Sequence, residues 1–172
     1  MLHRTKIKSL VDNLLGDDYS LPVDLNSIAA ELNAKIILND LDAAQLSGFA
    51  FHKDGNRIIG INSTESEQRQ RFTIAHELGH LFLHNNKAVN YDKGGVMMFR
   101  DSHSSNGSDI KEIEANRFAA ELLMPEKSVR NDTAELGAFD LVNDTGVIAT
   151  LAEKYNVSEQ AMSIRLTTLY FN

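Results

Sequence analysis

His76 and His80 stand four residues apart, with Glu77 between them, in the run Arg71-Phe-Thr-Ile-Ala-His-Glu-Leu-Gly-His80, which is an HExxH motif. On a helix of 3.6 residues per turn this spacing puts both imidazoles on nearly one face, one turn apart, where both can reach a single tetrahedral cation. Glu77 lies beside them, placed to take a proton from activated water rather than to bind the metal. The chemistry implied is metal-assisted hydrolysis of a peptide bond. The chain has no cysteine, which excludes disulfides, thiolate zinc sites and a cysteine nucleophile together. A catalytic zinc usually keeps three protein ligands and one open position, so the third ligand must be a histidine or a carboxylate.

The apolar stretch from Asp109 to Met124, ended by Pro125, reads as a helix offering Glu112, Glu114 and Glu121. Glu112 and Glu114 are two residues apart, about 200° around a helix, so only one of them can face the metal. Asp109 and Glu112 have capping-box spacing, which explains Glu112 as a helix-start residue and leaves Glu114 to point inward among Ile110, Ile113 and Phe118 as the expected third ligand. Glu121 lies about 10 Å further along the axis, suiting an outer hydrogen bond or a salt bridge. His84 continues the four-residue spacing but sits about 80° around from His76, a position that suits a helix end better than a ligand. A tetrahedral oxyanion also needs a hydrogen-bond donor, and the long polar segment 86–108 offers His103 first, then Arg100 and Tyr91. A solvated loop histidine is the plainer reading of His103.

These residues need elements to hold them. Ile7, Leu10, Val11, Leu14 and Leu15 recur at helical spacing up to Gly16, and Asp24 to Leu32 reads as a second helix. Lys35 to Leu38 reads as a strand, and Leu46 to Phe51 and Arg57 to Ile61 as a hairpin closed by Lys53-Asp-Gly-Asn56. The expectation is a small antiparallel sheet, whose edge either accepts an extended peptide or simply covers the core. Thr64 and Glu67, at capping-box spacing, open the helix that carries the HExxH motif to about Asn85. Gly79 inside that helix allows close approach by another element or by substrate. Segment 86–108 is expected to be a long loop, over the active site or as a disordered excursion. At the C-terminal end, 147–154, the turn 155–157 and 158–169 have helix-turn-helix spacing, with Ser158 as N-cap and Asn156 suited to a left-handed turn. Arg165 is the single basic residue on the second of these helices, whereas a DNA reader presents several. Packing or substrate docking is therefore favoured over DNA binding.

The 172 residues are 42% hydrophobic, enough for one core, and one α+β domain spanning 1–172 is expected, with 1–20 as an N-terminal helix and 145–172 as the helix-turn-helix-like element. Seventeen basic residues against 24 acidic ones give a net charge of -7, which disfavours broad attraction to a phosphate backbone. With no apolar segment of signal-peptide or membrane-spanning length, the expected location is the cytoplasm.

The run 71–80 taken together with Glu112-Ile-Glu-Ala-Asn-Arg-Phe-Ala-Ala-Glu-Leu-Leu-Met-Pro125 resembles the ImmA/IrrE family of bacterial and phage metallopeptidases over roughly residues 20 to 170. The resemblance implies a compact gluzincin-like fold in which His76, His80 and Glu114 bind zinc and Glu77 is the catalytic acid and base. Manganese or iron also suits such a donor set. It implies an endopeptidase that cleaves a helix-turn-helix repressor or antitoxin and so induces phage, mobile-element or stress genes. Phe118 departs from the larger gluzincins, which carry an acidic residue four positions after the ligand glutamate, and Asn116 is the stand-in. The competing reading is a non-proteolytic regulator that docks a partner repressor or DNA.

Overall fold

The computed structural model describes residues 2, 4–41, 46–53, 55–84, 90–92, 107–136 and 145–171. Helix α1 (Arg4–Leu15) buries Ile7 and Val11 and stops at Gly16. Helix α2 (Leu25–Glu31) is capped by Asp24, whose carboxylate accepts from the backbone N–H groups of Asn26 and Ser27. Three strands follow, β1 (Ala34–Asn39), β2 (Gly48–Lys53) and β3 (Asn56–Asn62), then helix α3 (Glu67–His84) and the short strand β4 (Asn90–Asp92). The rest is helical: α4 (Gly107–Leu123), α5 (Glu126–Leu136), α6 (Thr145–Tyr155) and α7 (Glu159–Tyr170).

The sheet has the order β1-β3-β2-β4 and is mixed, which corrects the expected antiparallel one. The β2–β3 hairpin forms as expected, Lys53 pairing with Asn56 across a turn in which Gly55 takes φ +83°. Strand β1, however, lies parallel to β3, Ile36 opposite Ile59. The physical reason is the apolar content of β3. Ile59 and Ile61 are fully buried, so β3 belongs in the interior of the sheet with a neighbour on each side. Strand β4, which falls within the segment expected to be a loop, pairs antiparallel with β2 and occupies its outer edge.

Helix α3 lies against β2 and β3 on one side and α4 on the other, so it runs through the middle of the molecule. Its start differs from expectation. Asn62 Oδ1 accepts from both the N–H and the hydroxyl of Thr64, and the helix instead opens at Ser66, whose Oγ accepts from Arg69 N at 3.3 Å. Helix α4 begins at Gly107, so Asp109 and Glu112 stand inside it rather than at its cap. After Pro125, whose carbonyl accepts from Val129 N, the unforeseen helix α5 begins. Its apolar stripe is thin, with Val129 and Thr133 as its buried residues. Helices α6 and α7 are joined by a short turn in which Asn156 has φ 49° and Ser158 caps α7 by accepting from Ala161 N at 3.1 Å. Arg165 of α7 is buried at 5% exposure. Its Nη2 lies 2.5 Å from Glu121 Oε2, and its Nε donates to the carbonyl of Met124. Among the described residues, no helix is long and apolar enough to cross a membrane.

Candidate metal centre

The middle of α3 is buried on every side: His76, Glu77 and His80 are 4%, 1% and 3% exposed. Close packing of α3 on α4 makes this burial possible. A Cβ at Gly79 would lie 3.1 Å from Ala115 Cα and 3.2 Å from both the Ala115 carbonyl oxygen and Phe118 Cδ1. The missing side chain therefore admits α4, the first of the two alternatives the sequence leaves open. That contact brings the glutamate-bearing face of α4 to the histidines.

The two imidazole Nε2 atoms face each other at 2.9 Å. The carboxylate that joins them belongs to Glu112, with Oε2 at 3.2 Å from His76 Nε2 and Oε1 at 3.2 Å from His80 Nε2. Among the described residues, His76, His80 and Glu112 form the one group of histidine and carboxylate donors able to hold a metal ion. Donor atoms about 2.0 Å from a tetrahedral ion stand about 3.3 Å apart along each edge, so separations of 2.9 to 3.2 Å fit a zinc-sized ion. Burial pushes the Glu112 carboxyl up, but hydrogen bonds from the two imidazoles, and their charge, outweigh it and hold the group well below the usual carboxylate range.

Glu114, the residue the sequence points to, is placed away from the Nε2 atoms of His76 and His80. It accepts a hydrogen bond from the backbone N–H of Leu2 and lies 3.8 Å from Nδ1 of His84. The physical reason is the helix start. With α4 opening at Gly107, Glu112 is released from any capping role, and the 200° between the two glutamates carries Glu114 away as Glu112 comes in. His84 ends α3, as its drift around the helix suggests, with its Nε2 against the carbonyl of Lys111. Burial lowers its pKa. Glu121 is the salt-bridge residue of α4, accepting from Arg165 and from the N–H of Glu126.

Asn116 supplies a contact that the sequence only hints at. Its Oδ1 lies 2.9 Å from His76 Nδ1 and accepts from it, which holds the ring with Nε2 facing His80 and Glu112. Glu112 and Asn116 are four residues apart, hence on one face of α4. That rule, applied to the histidines, was equally available for this pair. His103 and Arg100 lie outside the described residues, as does the side chain of Tyr91.

Known proteins resemble this chain over most of its length. The IrrE N-terminal-like domain family matches residues 29–167. Immunity region protein 2 of Bacillus phage phi105 is 31% identical over 157 residues, 90% of this chain and 92% of that protein. Metallopeptidase ImmA of Bacillus subtilis is 35% identical over 97 residues, covering 54% of this chain and 50% of that protein. Radiation response metalloprotease IrrE of Deinococcus radiodurans is 32% identical over 123 residues, 69% of this chain and 33% of that protein. The chain thus spans half or less of the length of these last two relatives. A solved structure, a Mycobacterium tuberculosis transcriptional regulator, shares the fold with a TM-score of 0.60 at 16% identity, over 97% of this chain and 47% of that one. With an HExxH helix packed on a glutamate helix, and a family match that takes in both, the chain belongs to the ImmA/IrrE metallopeptidase family.

Proposed function

We propose that this chain is a zinc-dependent endopeptidase of the cytoplasm that cleaves a helix-turn-helix repressor or antitoxin and so relieves repression of phage, mobile-element or stress genes. The observation that carries the reading is the convergence of His76 Nε2, His80 Nε2 and the Glu112 carboxylate, with Glu77 in the same helix. These three residues would hold a zinc ion, which would supply a Lewis acid for the scissile carbonyl and lower the pKa of water. The remaining work falls to the chain. Glu77 takes a proton from the attacking water and returns it to the nitrogen of the leaving amine. Asn116, accepting from His76 Nδ1, would keep the proton there when a metal is bound and leave the Nε2 lone pair as the ligand. The role in immunity regions is supported by the phage relative, which is matched over nearly its whole length.

The test is incubation of the zinc-loaded protein with helix-turn-helix repressors encoded in its own genomic neighbourhood, read by intact-mass spectrometry. One cut at a defined bond, lost by a factor of about 10²–10⁴ in Glu77→Gln with metal content unchanged, is the expected result. De-repression by Glu77→Gln as strong as by the native protein would replace hydrolysis with simple docking.

A further inference from the structure

The first turns of α3, the C-terminal end of α4 and the α6–α7 junction enclose a cleft of about 710 Å³, within the range of built binding sites. Phe72, Leu123, Met124 and Val157 give it an apolar floor. Its rim carries Glu153 and Glu159, both exposed. The cation at the border, Arg69, is already engaged, 3.6 Å from Glu65 and donating to Ser47 Oγ at 3.1 Å. Arg165, the one basic residue of α7, is buried against Glu121. The cleft therefore offers apolar contact beneath exposed carboxylates, on a chain of net charge -7.

Its position ties it to the metal centre. The Phe72 ring in its floor lies 6.2 Å, centroid to centroid, from the ring of His76. An extended chain covers about 3.3 Å per residue, so a side chain seated on Phe72 belongs to a segment only a few residues from a bond presented to the histidines.

We infer that this cleft is a docking site for the protein substrate, seating an apolar side chain flanked by Lys or Arg. The inference rests on the endopeptidase reading above and adds where the substrate is held and by what chemistry. A DNA-binding substrate must carry such basic segments to neutralise phosphates, and these complement the rim. Negative charge at the cleft also steers the encounter without demanding one sequence.

The test uses the zinc-loaded Glu77→Gln protein, which holds substrate uncut, and two fluorescein-labelled peptides of alternating Leu and Lys or alternating Leu and Glu, followed by anisotropy. The lysine peptide is expected to bind and the glutamate peptide to fail. The double substitution E153K/E159K should weaken the lysine peptide about tenfold, whereas E31K/E135K, which makes the same charge change at exposed sites away from the cleft, should not. Ala149→Trp fills the cleft without altering charge and should weaken it as much. Equal loss from both charge-reversed pairs would reduce the effect to bulk charge and overturn the inference. So would full binding in Ala149→Trp, or self-association in light scattering that Ala149→Trp disperses, since the occupant would then be a second copy. A native protein that cuts its repressor with KM unchanged by E153K/E159K would remove the docking site and keep the peptidase. A protein that binds the lysine peptide as described yet cuts nothing would do the reverse.

Discussion

Replacing Glu112 and Glu114 in turn separates the two carboxylates that two residues of sequence leave interchangeable. Glu112 stands 3.2 Å from each Nε2 with 53% of its side chain exposed, so Glu112→Ala removes a donor without opening the core. The fold should lose no more than about 1 kcal/mol. Loss of an outer hydrogen bond to a ligand already weakens metal binding 10- to 100-fold, so loss of a direct donor should exceed about 100-fold, or about 2.7 kcal/mol. Glu114→Gln acts in the opposite sense. The amide oxygen still accepts from Leu2 N. With the His84 pKa lowered by burial, the 3.8 Å contact between these side chains carries little ionic attraction at neutral pH. The expected cost is about 1 kcal/mol of stability, a fall in Tm of about 2–4 °C, with metal affinity within about threefold of native. Competition against a chelating indicator measures the affinities, elemental analysis the stoichiometry, and thermal melts of the metal-free proteins the stabilities. A Glu114→Gln protein without metal, beside a Glu112→Ala protein that holds about one equivalent, would refute the reasoning.

Asn116→Ala frees His76 Nδ1 from its 2.9 Å partner and should weaken metal binding about 10- to 100-fold with little change in metal-free Tm, checked by the same competition assay. Gly79→Ala gains about 1 kcal/mol of helix propensity but drives a methyl to 3.1 Å from the backbone of α4, an overpacking cost of about 1–3 kcal/mol. Because the strain parts α3 from α4, metal affinity should fall further than metal-free Tm, and the two are compared by indicator titration and melting. Arg165→Ala leaves Glu121 buried without its cation and should cost about 3–5 kcal/mol, whereas the double change E121Q/R165M should recover most of the loss in urea titration. Burial, then the 2.8 Å hydrogen bond to Asp132, raises the Tyr155 phenol well above its ordinary 10.0. A raised folded-state pKa gives stability that is complete below pH 10 and is lost as the pH climbs above it. The native protein should therefore lose up to about 1.4 kcal/mol more per pH unit above 10 than Tyr155→Phe does, measured by urea titration across that range.

What was legible in the chain follows from which signals are local. The HExxH spacing fixes two donors on one face of α3 whatever packs against it, and Gly16, Asp24 and Ser158 stop or cap their helices through their own atoms. The choice between Glu112 and Glu114 was not local in this sense. It turned on where α4 starts, and an apparent capping box at Asp109 and Glu112 pointed to a start two residues too late. The parallel pairing of β1 was likewise hidden, because Ala34–Asn39 would suit either side of the hairpin and only the burial of Ile59 and Ile61 assigns it to β3. Helix α5 escaped because Val129 and Thr133 give it too narrow an apolar stripe to stand out from a loop.

Arg165 shows how a residue's type and its use can part. By type it is the one cation on the helix whose spacing suits a DNA reader. In the fold its guanidinium is buried, bonded to Glu121 and to the Met124 carbonyl, and joins the end of the glutamate helix to α7. Helix α7 therefore turns no basic side chain to solvent, and the junction beside it exposes Glu153 and Glu159 together with Lys154, which is paired with Asp132. Exposed carboxylates repel phosphate. The helix-turn-helix spacing of the C-terminal segment thus comes with a buried cation, not with one offered to a phosphate backbone.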